Sequence, residues 1–277
     1  MSTTSDSLKN IVGVALGVCF VCSILVSTAA VALKPRQDAN KRLEKRKNVL
    51  IAGDLLKEKD NANIETLFNE KIQPAIVELK TGEQLPGDKI TKELNPENYD
   101  IRKISRAAAF SQVIPSDRDK AGLKRIPTHM LLYLVKEGEK ISQIIFPVYG
   151  QGLWSTMYGF LAIDRDLKTI RGFTIYEHGE TPGLGGEVDN PKWKKSWKGK
   201  TAFDENGRLK LEVLAKGRAD PGSTTEIDAL SGATLTTVGV DNMIKFWFGS
   251  RPTDPGQKIK GYYRPFFEKL REEGLNE

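Results

Sequence analysis

Thiols are almost missing from this chain. Among 277 residues only Cys19 and Cys22 are cysteines, and both fall inside one apolar stretch near the amino terminus. The rest of the chain therefore has no disulfide and no cysteine-ligated metal available, and must hold itself together by packing. Histidine is as scarce, with His129 and His178 the only two, which argues against a multi-histidine zinc or iron site. A nicotinamide site is missing too, since no strand leads into a G-x-G-x-x-G helix entrance. Serine and threonine have no histidine base beside them, which speaks against a hydrolase. The 42 Lys and Arg against 36 Asp and Glu leave a net charge of +6, but without long basic runs interleaved with aromatics. Nucleic acid is thus not an expected partner. Any redox cofactor should be organic.

What is present begins with a long apolar run. Ile11 to Leu33, IVGVALGVCFVCSILVSTAAVAL, carries no charge and, at about 1.5 Å per residue, can cross a hydrocarbon layer of roughly 30 Å. It reads as a transmembrane helix. The competing reading is a cleaved signal peptide, because Lys9 precedes the run and Ala30-Val31-Ala32 resembles a cleavage site. The run exceeds the usual core of about 7–15 residues, which favours a retained anchor. Lys34, Arg36, Lys41, Arg42, Lys45, Arg46 and Lys47 follow it, and the positive-inside rule taken literally puts the remainder in the cytoplasm. Cys19 and Cys22 stand at i and i+3 on one helix face, a spacing open to a metal shared with a neighbouring subunit. Small apolar packing residues are the favoured reading.

Beyond the anchor the pattern divides. After a tail over 1–10 and the span over 11–33, residues 34–125 read as a helical stalk and connecting region. Leu43, Val49, Leu50, Leu55, Leu56, Ile64, Leu67, Ile72 and Ile76 are spaced there for helices broken by polar turns. From Met130 the pattern changes to short apolar runs, MLLYLV, IIFPVYG, YGFLAID and Ile170 to Tyr176, with turn residues between them, which is the signature of a β-meander. Leu209, Leu211 and Val213 alternate with Lys210 and Glu212 as in a strand with one wet face. Val240, Met243, Ile244 and Trp247 recur at helical spacing. The expected fold is α+β, one amino-terminal transmembrane helix followed by a water-facing domain with a twisted antiparallel or mixed sheet flanked by helices. A core domain over 126–250 and a carboxy-terminal extension over 251–277 complete the division.

Two segments carry the chemistry. The first, His178-Gly179-Glu180-Thr181-Pro182-Gly183-Leu184-Gly185-Gly186, follows the Ile170 to Tyr176 strand, and its glycines let backbone approach a flat ligand. Standing alone it is an ordinary glycine-rich connection. The second, Asp228-Ala229-Leu230-Ser231-Gly232-Ala233-Thr234-Leu235-Thr236-Thr237, precedes the helical run. Ser231 or one of the threonines is expected to cap that helix, whose free N–H groups favour a phosphate. Composition alone leaves this an ordinary helix cap.

The string SGATLTT with Asp228 three residues ahead resembles the flavinylation motif of proteins to which a flavin transferase joins FMN by a phosphoester at the threonine of Ser/Thr-Gly-Ala-Thr. Here that acceptor is Thr234. Together with HGETPGLGGE, the apolar amino-terminal helix and the chain length, the sequence resembles the C subunit of the bacterial sodium-translocating NADH:quinone oxidoreductase. The G subunit of the related Rnf complex shares both motifs in generally shorter chains, and a membrane-anchored ligand-sensing domain is a rival from another class. The resemblance implies an electron-transfer subunit with covalent FMN in which Ser231, Gly232 and Ala233 shape the tether. Thr181 and nearby backbone, with Gly183 and Gly185, would contact the ring edge, and Leu184 would pack on its face. It assigns Asp228 to recognition by the transferase. It also implies other membrane subunits as partners, NADH oxidation elsewhere, and a periplasmic flavin domain on the bacterial inner membrane.

Overall fold

A computed structural model describes residues 8–57, 63–138, 140–256 and 260–273. The chain forms two compact units, Met1–Lys45 and Arg46–Glu277.

The first unit is helical. Helix α1 (Leu8–Ala52) is long and apolar enough to cross a membrane, and its apolar side chains from Ile11 to Leu33 are exposed. It does not end with the apolar run, as the sequence pattern suggested. It continues through Pro35 and the basic flank, because residues 36–52 are dominated by strong helix formers and the Lys34–Asp38 pair at 2.9 Å bridges the turn that contains Pro35.

In the second unit the last turn of α1 supplies core residues. Val49 and Leu50 are fully buried, and the chain leaves the helix through Gly53 and Asp54, the latter at φ 55°. Arg46 lies over the Phe68 ring at 5.1 Å and pairs with Glu97 at 3.1 Å, so part of the basic flank is used inside this unit. Helix α2 (Ile64–Lys71) is capped by the Asn63 side chain, which accepts from Glu65 N and Thr66 N, and it runs directly into strand β1 (Ile72–Glu78).

That strand departs from the expected stalk. Ile72 and Ile76 belong to a sheet edge, not to a helix, and Pro74 is tolerated because an edge strand has an N–H side that needs no partner. Short segments α3 (Ile101–Arg106), β2 (Ser111–Val113) and β3 (Arg125–Pro127) follow, the two strands forming a small ribbon. Then come β4 (His129–Glu137), β5 (Lys140–Gln151), β6 (Thr156–Asp164) and β7 (Ile170–Glu177), the four runs of the expected meander. With β1 they make a five-stranded antiparallel sheet in the order β1-β4-β5-β6-β7.

Both faces of this sheet are covered, which is why its strands read as nearly continuous apolar runs. Leu131, Tyr133, Ile145 and Phe160 pack with Val49, Leu50 and Phe68 on one face. Leu132, Phe146, Leu161 and Phe173 pack on the other with helix α4 (Pro191–Ser196) and helix α5 (Thr234–Phe248). Strands β8 (Glu212–Val213) and β9 (Glu226–Ile227) pair in parallel and are shorter than the alternation from Leu209 to Val213 suggested. Helix α6 (Arg264–Glu273) is the last described element, and three aromatic residues from the segment read as an extension are core: Phe146 contacts Tyr263, Phe266 and Phe267, and Tyr263 donates to the Pro147 carbonyl at 2.6 Å. The sheet and its covering helices thus share one compact unit.

Candidate functional site

Two loops converge on the start of α5. The first leaves β7 and tightens into a 3₁₀ turn over Gly185–Asp189. Asn190 then caps α4 by accepting from Lys192 N at 2.9 Å, with Pro191 at the helix start where its missing N–H costs nothing. That places Trp193 so that its Nε1 donates to the Asp228 carbonyl at 2.9 Å. The second loop leaves β9 at Asp228, whose Oδ1 accepts from Ala219 N at 2.7 Å while Ala229 N donates to the Gly217 carbonyl at 3.1 Å. Gly232 then turns the chain at φ 73°, a left-handed conformation disfavoured for a side-chain-bearing residue, and Ala233 leads into the helix.

Between these loops lies a groove of about 980 Å³, at the upper end of the size range of small-molecule sites. Gly183 and Leu184 wall it from one loop; Asp228, Ser231, Gly232 and Thr234 wall it from the other. Lys192, Lys216 and Arg218 add positive charge to its rim. Thr234 is the first residue of α5, half-buried, and among the described residues no side chain caps that helix. The expected capping by Ser231 or a threonine does not occur. Ser231 is exposed on the groove, Thr236 Oγ1 donates inward to Glu180, and Thr237 Oγ1 donates to the Ala233 carbonyl while accepting from Leu230 N. The first N–H groups of α5 therefore keep their donor capacity at the groove.

The residue that ties the site together is Glu180, to which the sequence pattern gave no role. It is only 4% exposed. Its Oε1 accepts from Trp154 N, Ser155 N and Ser155 Oγ at 2.9–3.1 Å, and its Oε2 accepts from Leu153 N at 3.0 Å and Thr236 Oγ1 at 2.6 Å. Burial alone raises a carboxyl pKa, but the donors from Thr236, Trp154, Leu153 and Ser155 outweigh it and hold Glu180 below the ordinary carboxylate range. Gly185 is required beneath it, since a Cβ there would stand 2.5 Å from Thr236 Oγ1 and 3.0 Å from Glu180. His178 is a local hydrogen-bonding residue. Its Nδ1 accepts from Glu180 N at 3.1 Å, which leaves the proton on Nε2 to donate to Asp189 at 2.8 Å.

Of the residues singled out from sequence, the groove brings together Gly183, Leu184, Asp228, Ser231, Gly232 and Thr234. Thr181 and Gly185 are not on its walls. Thr181 is exposed and its carbonyl closes the loop by accepting from Leu184 N and Gly186 N, while Gly185 faces inward. Ala233 is buried beneath the turn. Cys19 and Cys22 are exposed on α1. Trp193, Trp197 and Trp247 are core residues, whereas Trp154 is 69% exposed beside the Glu180 clamp. Sequence reasoning passed over Glu180 although it stands inside the glycine-rich string, because its partners on the turn Leu153–Ser155 and on α5 are distant in sequence.

The chain carries a flavin-binding class of domain: the family profile described as FMN-binding domain matches residues 152–249. The C subunit of the Na(+)-translocating NADH-quinone reductase of Vibrio parahaemolyticus is 42% identical over 276 residues, covering 100% of both chains. The Pseudomonas aeruginosa protein of the same description is 45% identical over 240 residues, 85% of this chain and 89% of its own. The crystal structure of Shewanella oneidensis NqrC superposes with a TM-score of 0.72 at 32% identity, covering 84% of this chain and 99% of the other. The chain belongs to the C-subunit family of the Na(+)-translocating NADH-quinone reductases.

Proposed function

We propose that this chain carries FMN joined by a phosphoester to the Thr234 hydroxyl and serves as an electron-transfer subunit of a sodium-pumping NADH:quinone oxidoreductase. The observation that carries the reading is the position of Thr234: it lies on the groove wall at the start of α5, where no described side chain caps the helix. A phosphate esterified there accepts the free N–H groups of the first turn and gains from the helix dipole. Lys192, Lys216 and Arg218 offset its remaining charge.

The groove fits such a group. Ser231, Gly232 and Ala233 shape the tether; Gly183 and Leu184 face it across the groove, and the exposed Thr181 stands in the same loop. FMN supplies reversible one- and two-electron chemistry when bound, and linkage through its phosphate leaves the ring unmodified, so the chain acts on it by packing and hydrogen bonds. Asp228 positions the 217–220 loop through Ala219 N, and in this reading that loop and Asp228 are what a flavin transferase recognises. The tether keeps the cofactor from dissociating during turnover. The apolar helix anchors the protein as a single pass in the bacterial inner membrane, with its flavin domain periplasmic and with other membrane subunits as partners.

Intact and peptide mass spectrometry tests this on the full chain made beside a flavin transferase and then denatured. A flavin-sized mass on the Thr234 peptide, missing from Thr234→Ala, is expected. An unmodified chain from cells that flavinylate a control protein overturns the reading.

A further inference from the structure

A second cleft shares no wall with the flavin groove. It encloses about 340 Å³ between α3, the segment entering β3, and the adjoining strands β5 and β6. Its walls include Arg102, Arg106, Lys124 and Arg125, with Tyr149 and Tyr158 as an aromatic pair stacked at 5.5 Å.

The charges in this cleft are unbalanced. Arg102 lies over Tyr158 at 4.3 Å and is neutralised by Glu177 at 2.6 Å. Arg125 donates to Ser111 Oγ at 2.9 and 3.1 Å and to the Ser111 carbonyl at 3.2 Å, all neutral acceptors, so its charge stays uncompensated. Arg106 and Lys124 make no ion pair among the described residues. The nearby Asp119 carboxylate accepts from Leu123 N at 2.9 Å and Lys124 N at 2.7 Å, which pins Lys124 in the left-handed region at φ 62°.

The hydroxyl groups do not soften that sign. Ser105 Oγ donates to the Ile101 carbonyl at 2.6 Å, so the 3.3 Å contact with Tyr149 has the tyrosine hydroxyl as donor and uses up its proton. The recognition left to the cleft is that of cations from separate segments around a part-aromatic wall.

We propose that this cleft binds a phosphate group, either free phosphate or the headgroup of an anionic phospholipid. Its volume leaves room for an ester substituent beside the tyrosines. The inference is independent of the flavin reading.

The test uses the full chain in phosphatidylcholine nanodiscs at low ionic strength, titrated with inorganic phosphate by calorimetry. Arg106→Gln with Lys124→Asn removes two of the three cations without an ion pair and leaves Arg125 on Ser111, and asparagine tolerates the left-handed backbone. Lys192→Gln with Lys216→Gln removes charge from the flavin groove instead. Saturable binding that weakens about tenfold or more in the first pair, and survives in the second, is expected. Loss of that titration for the unsubstituted chain in phosphatidylglycerol discs assigns the cleft to a lipid headgroup, and its persistence assigns it to free phosphate. No saturable binding in phosphatidylcholine, or unchanged affinity in Arg106→Gln/Lys124→Asn, overturns the proposal.

Discussion

Glu180 Oε2 accepts a 2.6 Å hydrogen bond from Thr236 Oγ1, and both side chains are almost completely buried. This single bond joins the glycine-rich loop to the first turn of α5, two turns of backbone that the sequence separates widely. Because the same carboxylate also gathers the N–H groups of Leu153, Trp154 and Ser155, it fixes the relative position of the segments that wall the groove.

Glu180→Gln should therefore be costly although nearly isosteric. An amide cannot accept at both positions, and at least one buried donor would lose its partner, a loss of about 2–3 kcal/mol. Urea denaturation should report it as a lower midpoint with unchanged slope. On the proposed reading of Thr234 as the FMN acceptor, the yield of covalent flavin in the same variant should fall while Thr234 is still present.

Acid should reveal the same group. The folded-state pKa of Glu180 lies below the ordinary value of about 4.3, so its stabilisation is complete above that value and is lost as pH falls through the folded pKa. The stability gap between the parent chain and Glu180→Gln should stay constant from neutrality to about pH 5 and narrow below. Taking the difference between the two chains cancels the other depressed carboxylates, Asp166, Asp204 and Asp254. A gap that widens in acid would contradict the assignment.

How much of this was legible beforehand follows from the range of each interaction. The runs that became β4 to β7 announced themselves because burial on both faces makes a strand continuously apolar. Strand β1 did not, since Pro74 and the i, i+4 spacing of Ile72 and Ile76 fit broken helices equally well. Tyr263, Phe266 and Phe267 read as an appendage because nothing local says that they pack against Phe146. Thr234 and Leu184 were found through motif strings, while Glu180, inside one of those strings, acquires its role only from a turn before β6 and from Thr236 on α5.

Gly232→Ala isolates the turn that presents Thr234. A side chain at φ 73° costs about 1 kcal/mol, and its Cβ would stand 3.1 Å from Leu184 Cδ2 on the facing wall. A melting temperature lowered by a few degrees is expected, and, on the proposed reading of Thr234 as the FMN acceptor, a reduced fraction of flavinylated chain in the intact mass spectrum. Full flavinylation at parental stability would show that the turn is not constrained as described.

A buried ion network braces the far end of α5. Arg251, 6% exposed, donates from Nη1 and Nη2 to the two Asp241 oxygens at 2.7 and 3.1 Å and from Nη1 to the Leu211 carbonyl at 3.0 Å. Asp241 in turn accepts from Val213 N at 3.1 Å, which holds β8. Arg251→Met should cost about 1–3 kcal/mol, because it takes the buried guanidinium donors from Asp241 and the Leu211 carbonyl while Asp241 keeps Lys245 at 2.8 Å. Hydrogen exchange should then rise at Val213 and its β9 partner Ile227 before it rises in the five-stranded sheet.

Truncation separates the roles of α1. Removing residues 1–33 deletes the exposed apolar run but leaves Val49, Leu50, Ala52 and Leu56, which are buried in the second unit. That chain should fold in water without detergent and keep the cooperative unfolding of a packed domain. Removing residues 1–56 deletes those side chains as well and uncovers Leu131, Tyr133 and Phe160 on the sheet. Each large side chain taken from a packed core costs about 2–5 kcal/mol, comparable together with the whole stability of a domain. The longer deletion should give an aggregating chain that binds hydrophobic dye, whereas the shorter one should stay monomeric by sedimentation. If both behaved alike in water, the last turns of α1 would not be part of the core.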